Sequence, residues 1–166
     1  MSAVRRRMRC AVIPFVFVAM LVTSLAITLV EAPPAEASTR QERKVQRKIA
    51  HSVKVARSQL GDPYRYGAAG PNAFDCSGLT SFAYHRAGLA LPRTSDAQFR
   101  FVRKIPKSKI RRGDLMFFLN GGDVYHVGIF LGRVRGSAYI LHAPNSGEVV
   151  HRARVWTGQW RAGTVR

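Results

Sequence analysis

The spacing of apolar residues changes along the chain, and each change marks a predicted element. From Thr39 to Leu60, apolar residues recur at three- and four-residue intervals while basic residues fill the other positions. This pattern predicts one basic amphipathic helix. Thr39 followed by Glu42 forms a capping-box start, and Gly61, Asp62 and Pro63 supply a stop.

Two shorter helices are predicted after a loop, PYRYGAAGPNAF, that is rich in glycine and aromatic residues. Asp75 can cap a helix from about Cys76 to Ala87, which Gly88 ends. Thr94 or Ser95 can cap a short helix after it.

From residue 114 onward, the period of the pattern becomes that of β-strands. Four runs rich in β-branched and aromatic residues are separated by turns that contain glycine. The runs are DLMFFLN, DVYHVGIFLG, SAYILHAPN and EVVHRARV. Residues 103–112, RKIPKSKIRR, are predicted to form a basic loop between the two halves. Helices followed by antiparallel strands indicate an α+β fold, with a C-terminal sheet of about four to six strands.

The first 37 residues are predicted to direct export. Four arginines precede an uncharged apolar run from Cys10 to Val30, and residues 35–37 fit the A-x-A pattern of a signal peptidase site. The run is also long enough to span a bilayer, which needs about 20 residues, so an uncleaved membrane anchor is the alternative. The predicted organisation is a signal peptide at 1–37, a basic helix at 38–60 and one domain at 61–166.

Composition excludes several classes of protein and adds one property. With 46% hydrophobic residues and a mean hydropathy of -0.09, the chain is neither a disordered tail nor a polytopic membrane protein. Two cysteines exclude a disulfide scaffold, and no Cys/His spacing fits a zinc finger. The net charge of +18, of which +16 falls on residues 38–166, predicts attraction to a polyanion such as nucleic acid, anionic lipid or cell-wall polymer. The alternative is that the charge only keeps the domain soluble.

Cys76 is the one cysteine of the predicted exported part, and it is placed where a nucleophile would be useful. In the first turn of a helix, the unpaired N–H groups and the helix dipole favour a thiolate. The alternative is a small, buried and inert thiol.

A cysteine nucleophile also needs a base, and the five histidines are the candidates. His126 and His142 fall on neighbouring predicted strands, where they can form a cross-strand pair or a diagonal. His51 is expected on an exposed helix face, and His85 on the side of the second helix away from the thiol. His151 is the reserve candidate.

Five motifs, GDPYRYG, FDCSGL, RRGDLMFF, HVGIFLG and ILHAP, occur in an order that resembles the NlpC family of cell-wall cysteine peptidases, whose fold is papain-like. The resemblance covers about residues 50–150. It implies that Cys76 is the nucleophile, that His126 is the base and that His142 orients the base. It also implies that Tyr64 lies beside the oxyanion.

Asp75 and Ser77, which flank the cysteine, match positions that help to line the substrate cleft in the family. The sequence departs from the family pattern at two places. Ala68 and Ala69 stand where a glycine pair is usual, and the interval 126–142 is long, which is expected to lengthen the turn between the two strands.

The resemblance implies a cell-wall hydrolase. Together with the predicted signal peptide, it leads us to expect an exported monomer that needs no cofactor and acts in the cell wall or periplasm. Its substrates would be peptidoglycan stem peptides, cut between D-isoglutamate and a diamino acid, and its basic surface would bind anionic wall polymers. One alternative is a catalytically silent peptidoglycan-binding module, and another is a thiol amidase or acyltransferase on the same fold. Nucleic-acid binding is not expected, because charge alone supports it, and membrane contact is expected only if the N-terminal segment is uncleaved.

Overall fold

The computed structural model describes residues 35–166, with side chains described from residue 39 onward. The predicted signal peptide or anchor at 1–37 therefore lies almost wholly outside the described residues. None of the described helices combines the length and the apolar character that crossing a bilayer requires.

The described chain has three α-helices: α1 (Ala35–Arg57), α2 (Cys76–Arg86) and α3 (Ser95–Phe101). Helix α1 begins four residues before Thr39, so the expected capping box at Thr39 and Glu42 does not form its N-terminus. The strong helix propensity of alanine and glutamate at residues 35–37 is the physical reason. Helix α2 begins as predicted, with Asp75 as its N-cap.

Six strands of the described chain form one antiparallel sheet in the order β1-β6-β2-β3-β4-β5. Their bounds are β1 Arg103–Ile105, β2 Leu115–Asn120, β3 Asp123–Val134, β4 Ser137–His142, β5 His151–Arg154 and β6 Trp160–Thr164. The predicted α+β class is confirmed. The prediction of a basic loop at 103–112 is wrong in part, because this segment contains β1 and a short 3-10 helix, Lys107–Lys109.

The two faces of the sheet carry separate apolar clusters. On one face, Val127 and Ile129 of β3 pack with Val53 of α1 and Leu79 of α2. On the other face, residues including Phe118 form a smaller buried cluster. Alternation along β3 therefore sends successive side chains either toward the helices or toward the second cluster.

Strands β3 and β4 form the hairpin that carries both candidate histidines. Val134 pairs with Ser137, so only Arg135 and Gly136 form the turn. Both residues have positive φ, as a two-residue turn of this kind requires. The long interval between the histidines is therefore taken up by longer strands, and the expectation of a longer turn is wrong.

Candidate active site

Cys76 is the first residue of α2, and its partly buried thiol faces strand β3. The backbone N–H of Val127, the residue after His126, lies close enough to the sulfur to favour its charged form. Pairing between β3 and β4 ends at Ile129 and Leu141. Because β4 does not pair with Val127, this N–H can point to the thiol.

The surroundings of Cys76 oppose its ionisation. Burial raises the pKa of the thiol, and the charge of Asp75 adds to the increase. The N–H groups of Val127 and Ser77 oppose it without cancelling it. The thiolate expected from the helix terminus is therefore outweighed by desolvation.

His126 and His142 form a buried pair across the hairpin. The distance between Nε2 of His126 and Nδ1 of His142 is 2.8 Å, and the rings are nearly perpendicular. The two residues are diagonal neighbours on one face, and Gly128 lies between them. A Cβ at Gly128 would come within 3.3 Å of Cβ of His142, so glycine keeps the space that the pair needs.

Both imidazoles of the pair are neutral at physiological pH. Burial lowers the pKa of His126 to about 4. Burial also lowers the pKa of His142 to about 3, and the neighbouring His126 and His151 add to this decrease. Nε2 of His142 is buried without a hydrogen-bond partner among the described residues. The hydrogen bond between the rings leaves Nδ1 of His126 as the nitrogen that can exchange a proton with a substrate.

Trp156, between β5 and β6, covers the histidine pair and was not predicted as part of the site. Its ring stacks on Phe118 at a centroid distance of 4.4 Å and lies 5.6 Å from the ring of His142 and 5.8 Å from that of His126. No periodic pattern marks this residue, because it lies in an irregular segment. The reserve candidate, His151, contacts His142 at a centroid distance of 4.9 Å.

Asp75 holds the loop in front of α2 through a dense set of hydrogen bonds. Its carboxylate accepts the backbone N–H of Gly78 at 2.6 Å and that of Gly67 at 2.9 Å. Arg93 donates to both carboxylate oxygens, at 3.0 and 2.6 Å. Burial alone would raise the pKa of Asp75, but these bonds and the charge of Arg93 hold it below its usual value.

Arg93 extends this network to Ser77. Its guanidinium donates to Oγ of Ser77 at 3.0 Å and to the carbonyl of Ala68 at 3.3 Å. Both predicted cleft residues, Asp75 and Ser77, are buried, and their side chains bond to Arg93. Sequence reasoning missed Arg93, although a carboxylate beside a nucleophilic thiol signals the need for a counter-charge.

Gln98 of α3 fixes the far end of the same network and was also missed. Its fully buried amide donates to the carbonyl of Ser77 at 2.9 Å and to that of Pro92 at 2.8 Å, and it accepts the hydroxyl of Thr80. Helix α3 therefore fixes the backbone of the first turn of α2.

Tyr64 lies in the loop that precedes α2. Its backbone N–H donates to the carbonyl of Glu148, and the residue forms a β-bridge with Phe74. Burial raises the pKa of Tyr64, and the charges of Cys76 and Asp75 add to the increase. His51 and His85 are both exposed. Within residues 39–166, no cluster of three or more His, Cys, Asp or Glu side chains is arranged to hold a metal ion.

Known proteins described as endopeptidases and as peptidoglycan-binding domains are similar to this chain in sequence and in structure. A probable endopeptidase of Corynebacterium glutamicum (strain R) is 42% identical over 118 residues, which are 71% of this chain and 52% of that protein. Among solved structures, the NlpC/p60 domain of the peptidoglycan hydrolase SagA is 34% identical with a TM-score of 0.63, over 70% of this chain and 98% of that one. RipD of Mycobacterium tuberculosis, described as a non-catalytic NlpC/p60 domain protein adapted to peptidoglycan binding, is 28% identical with a TM-score of 0.60, over 72% of this chain and 98% of that one.

The chain spans about half, or less, of the length of the curated relatives that it matches. The structural similarities confirm the papain-like α+β fold that the resemblance implied. The model of the NlpC/P60 family matches residues 61–166, which is well over half of the sequence. The chain therefore belongs to the NlpC/P60 family.

Proposed function

We propose that the protein is a cysteine peptidase that hydrolyses the peptide stems of peptidoglycan. The observation that carries the proposal is the buried pair of His126 and His142 at the strand against which Cys76 packs. Relatives named as endopeptidases and peptidoglycan hydrolases support the same reaction class.

In the proposed reaction, the thiol of Cys76 transfers its proton to Nδ1 of His126 while the sulfur attacks the carbonyl carbon of the scissile amide. The protonated His126 then gives that proton to the leaving amine, and an acyl-enzyme remains. Water attacks the acyl group, His126 accepts a proton from the water, and the acid product leaves as the proton returns to the sulfur. His142 holds the ring of His126 in one orientation and tautomer throughout.

Burial bears directly on the first step. An isolated thiolate or imidazolium is unfavourable at this site, because desolvation raises the pKa of Cys76 and lowers that of His126. The two charges are therefore best formed together, when each can stabilise the other. Tyr64, near the thiol, is proposed to donate to the oxyanion that develops on the carbonyl.

The proposal also specifies which peptide bond is cleaved and in which compartment the enzyme acts. We assign cleavage to the bond between D-isoglutamate and the diamino acid, and we place the enzyme outside the cytoplasm, in the cell wall or periplasm. The predicted signal peptide supports export. The proposed active species is a monomer without a cofactor, and its basic surface binds anionic wall polymers.

The decisive experiment incubates the protein with purified peptidoglycan and identifies the released fragments by mass spectrometry. The expected products end in D-isoglutamate and begin with the diamino acid, and Cys76→Ala should release none.

His126→Ala should lose nearly as much activity, and His142→Ala less, because water can partly replace an orienting group. Release by the Cys76→Ala variant, or a larger loss in His151→Ala than in His142→Ala, would contradict these roles.

A second candidate function is peptidoglycan binding without catalysis, which the similarity to RipD favours. It predicts that the wild type sediments with peptidoglycan and releases no fragments. Retention of the thiol and both histidines argues for the enzyme. An amidase or acyltransferase would be recognised in the same experiment by products cut at another bond or joined to an acceptor amine.

A further inference from the structure

A large groove lies away from the proposed active site. It has a volume of about 810 Å³ and runs between residues 41–46 of α1 and the edge strand β1. Val45 of α1 and Ile105 of β1 contribute apolar side chains to its lining, and the other lining residues are polar or charged, with aliphatic stems that add to the apolar surface.

Positive charge dominates the lining of this groove. The basic side chains come from α1, β1, the segment before β2 and the C-terminal residue: Arg43, Arg103, Lys109, Arg111 and Arg166. Glu42 is the acidic residue of the lining. Arg166 is already paired with the buried Asp114, whereas none of the other four forms an ion pair with a described carboxylate. The groove thus presents four cations, of which three are guanidinium groups.

The groove and the proposed active site lie toward opposite edges of the sheet. β1 is the strand at one edge, whereas His126 and His142 lie on β3 and β4, near the edge formed by β5. A molecule in the groove would therefore leave the thiol and the histidine pair open to substrate.

We propose that this groove, defined by Arg43, Arg103, Lys109 and Arg111, binds a segment of a polymer of phosphodiesters. Guanidinium groups match phosphate oxygens in bidentate geometry, and three of them around one groove favour phosphate over an isolated carboxylate. The concave shape favours a flexible chain over a membrane surface, because a planar array of headgroups contacts protruding side chains and not the floor of a groove. The inference rests on the proposed function only for the natural source of the polymer, which would be an anionic polymer of the cell wall.

The test measures binding of a fluorescently labelled synthetic oligomer of glycerol phosphate by anisotropy, with the full chain. The groove variant carries R43Q, R103Q, K109Q and R111Q. The matched control carries R133Q, R135Q, R152Q and R154Q, which remove the same charge from exposed positions in the hairpin and β5. Binding by the groove variant should weaken at least about tenfold and depend less on salt, while the control should stay within about threefold of the wild type.

Equal losses in the two variants would overturn the proposal, because they would show attraction to overall charge. Equal affinity for an oligomer of glutamate and for the oligomer of glycerol phosphate would also overturn the proposal. So would binding to phosphatidylglycerol vesicles that depends on the groove and is as tight as binding to the oligomer of glycerol phosphate. Should the fourfold variant unfold, the pair K109Q and R111Q, both at exposed positions, provides the same comparison. Cleavage of a soluble stem peptide is measured in parallel, and it should be unchanged in both variants. A wild type that binds the oligomer and cleaves nothing would refute the proposed function and leave the groove assignment standing.

Discussion

At the scale of single residues, Cys76 is subject to two opposing influences. The backbone N–H groups around its sulfur favour the thiolate, and burial disfavours it more strongly. A cysteine can therefore occupy the first turn of a helix and still rest as a thiol, because desolvation of a charge outweighs a few partial charges.

The rate at which iodoacetamide alkylates Cys76 should accordingly follow an apparent pKa above that of a free cysteine peptide. We expect slow alkylation at pH 6 and a rise only at alkaline pH, because the thiolate is the reactive species. A plateau of fast alkylation between pH 5 and 7 would instead indicate a preformed thiolate–imidazolium pair. Mass spectrometry of the labelled peptide measures the rate at this position alone.

Arg93 should be important for stability because it neutralises a buried carboxylate. Arg93→Gln leaves Asp75 without a counter-ion and removes four hydrogen bonds, so the free energy of unfolding should fall by about 2 kcal/mol. Arg100→Gln is the matched control. It removes an exposed pair with Asp96 and should cost less than about 0.5 kcal/mol. Similar losses in the two variants, measured by urea unfolding, would show that Arg93 is an ordinary surface residue.

The histidine pair should make stability depend on pH. In the unfolded chain, both histidines bind a proton below the ordinary pKa of 6.5. In the native protein, His126 is protonated only below about pH 4 and His142 only below about pH 3. Stability is therefore lost as the pH falls from about 6.5 toward 4, by up to about 1.4 kcal/mol per pH unit for each histidine. His142→Gln should remove one such contribution from the slope. Urea unfolding at pH 7, 6 and 5 measures the slopes of the wild type and the variant, and identical slopes would contradict the buried neutral pair.

The residues of the site differed in how far sequence could predict them. Placement of Cys76, His126 and His142 followed from a helix cap and from strand periodicity, which are local properties. Arg93 and Trp156 lie in irregular segments, where no period indicates which way a side chain points. Their roles depend on the packing of distant segments, and so they emerged only from the structure.

At the scale of elements, helix α2 depends on a close approach to the loop that precedes it. A Cβ at Gly78 would lie 2.0 Å from the carbonyl oxygen of Ala68. Because this oxygen is a backbone atom, no change of side-chain conformation can relieve the clash. Gly78→Ala should therefore shift α2 or unfold the domain, with a loss of more than about 3 kcal/mol. The control is Gly158→Ala, where nothing lies within 4 Å of the added Cβ and φ is ordinary. Thermal unfolding compares the two, and a Gly78→Ala variant as stable as the control would refute this close contact.

The helices and the central strands could be predicted from the sequence because their hydrophobic periods are strong. Strands β1 and β6 could not be predicted in this way. β1 is three residues long with two exposed basic side chains, and β6 contains both an exposed arginine and a glycine. Strand β1 is held by its pairing with β6, and β6 is held by its pairing with β2. Neither strand has a hydrophobic pattern of its own that would predict it. Pairing of this kind depends on partners that are distant in sequence, which explains why a basic loop was predicted at β1 and no strand was predicted at β6.

At the scale of the whole molecule, the net charge should tether the protein to intact cell walls. Exposed charges are screened beyond about 10 Å at 0.1 M salt and about 3 Å at 1 M salt. The fraction that sediments with walls should therefore collapse between these salt concentrations, while cleavage of a small soluble stem peptide should change far less. A sedimenting fraction that does not depend on salt would eliminate the electrostatic tether.

The side chains of the basic segment 103–112 should contribute unequally to this predicted tether. Lys104 and Lys107 lie over the rings of Phe99 and Trp160, at 4.3 and 4.7 Å from the ring centroids. Arg103, Lys109 and Arg111 line the groove instead. Composition predicted the polyanion, but only the folded chain separates the lysines that pack on aromatic rings from the side chains that remain free to bind.

The contact of Trp156 with both histidine rings has a practical consequence, which is an intrinsic optical signal. The chain has two tryptophans, and Trp160 is 5% exposed on the sheet, whereas Trp156 is 52% exposed beside His126 and His142. Indole fluorescence responds to the polarity around the ring and is quenched by a protonated imidazole in contact with it. Emission from Trp156 should therefore respond to protonation of the pair and to a bound ligand, and the buried Trp160 should respond less. Stopped-flow fluorescence can follow the filling of this site without an added label.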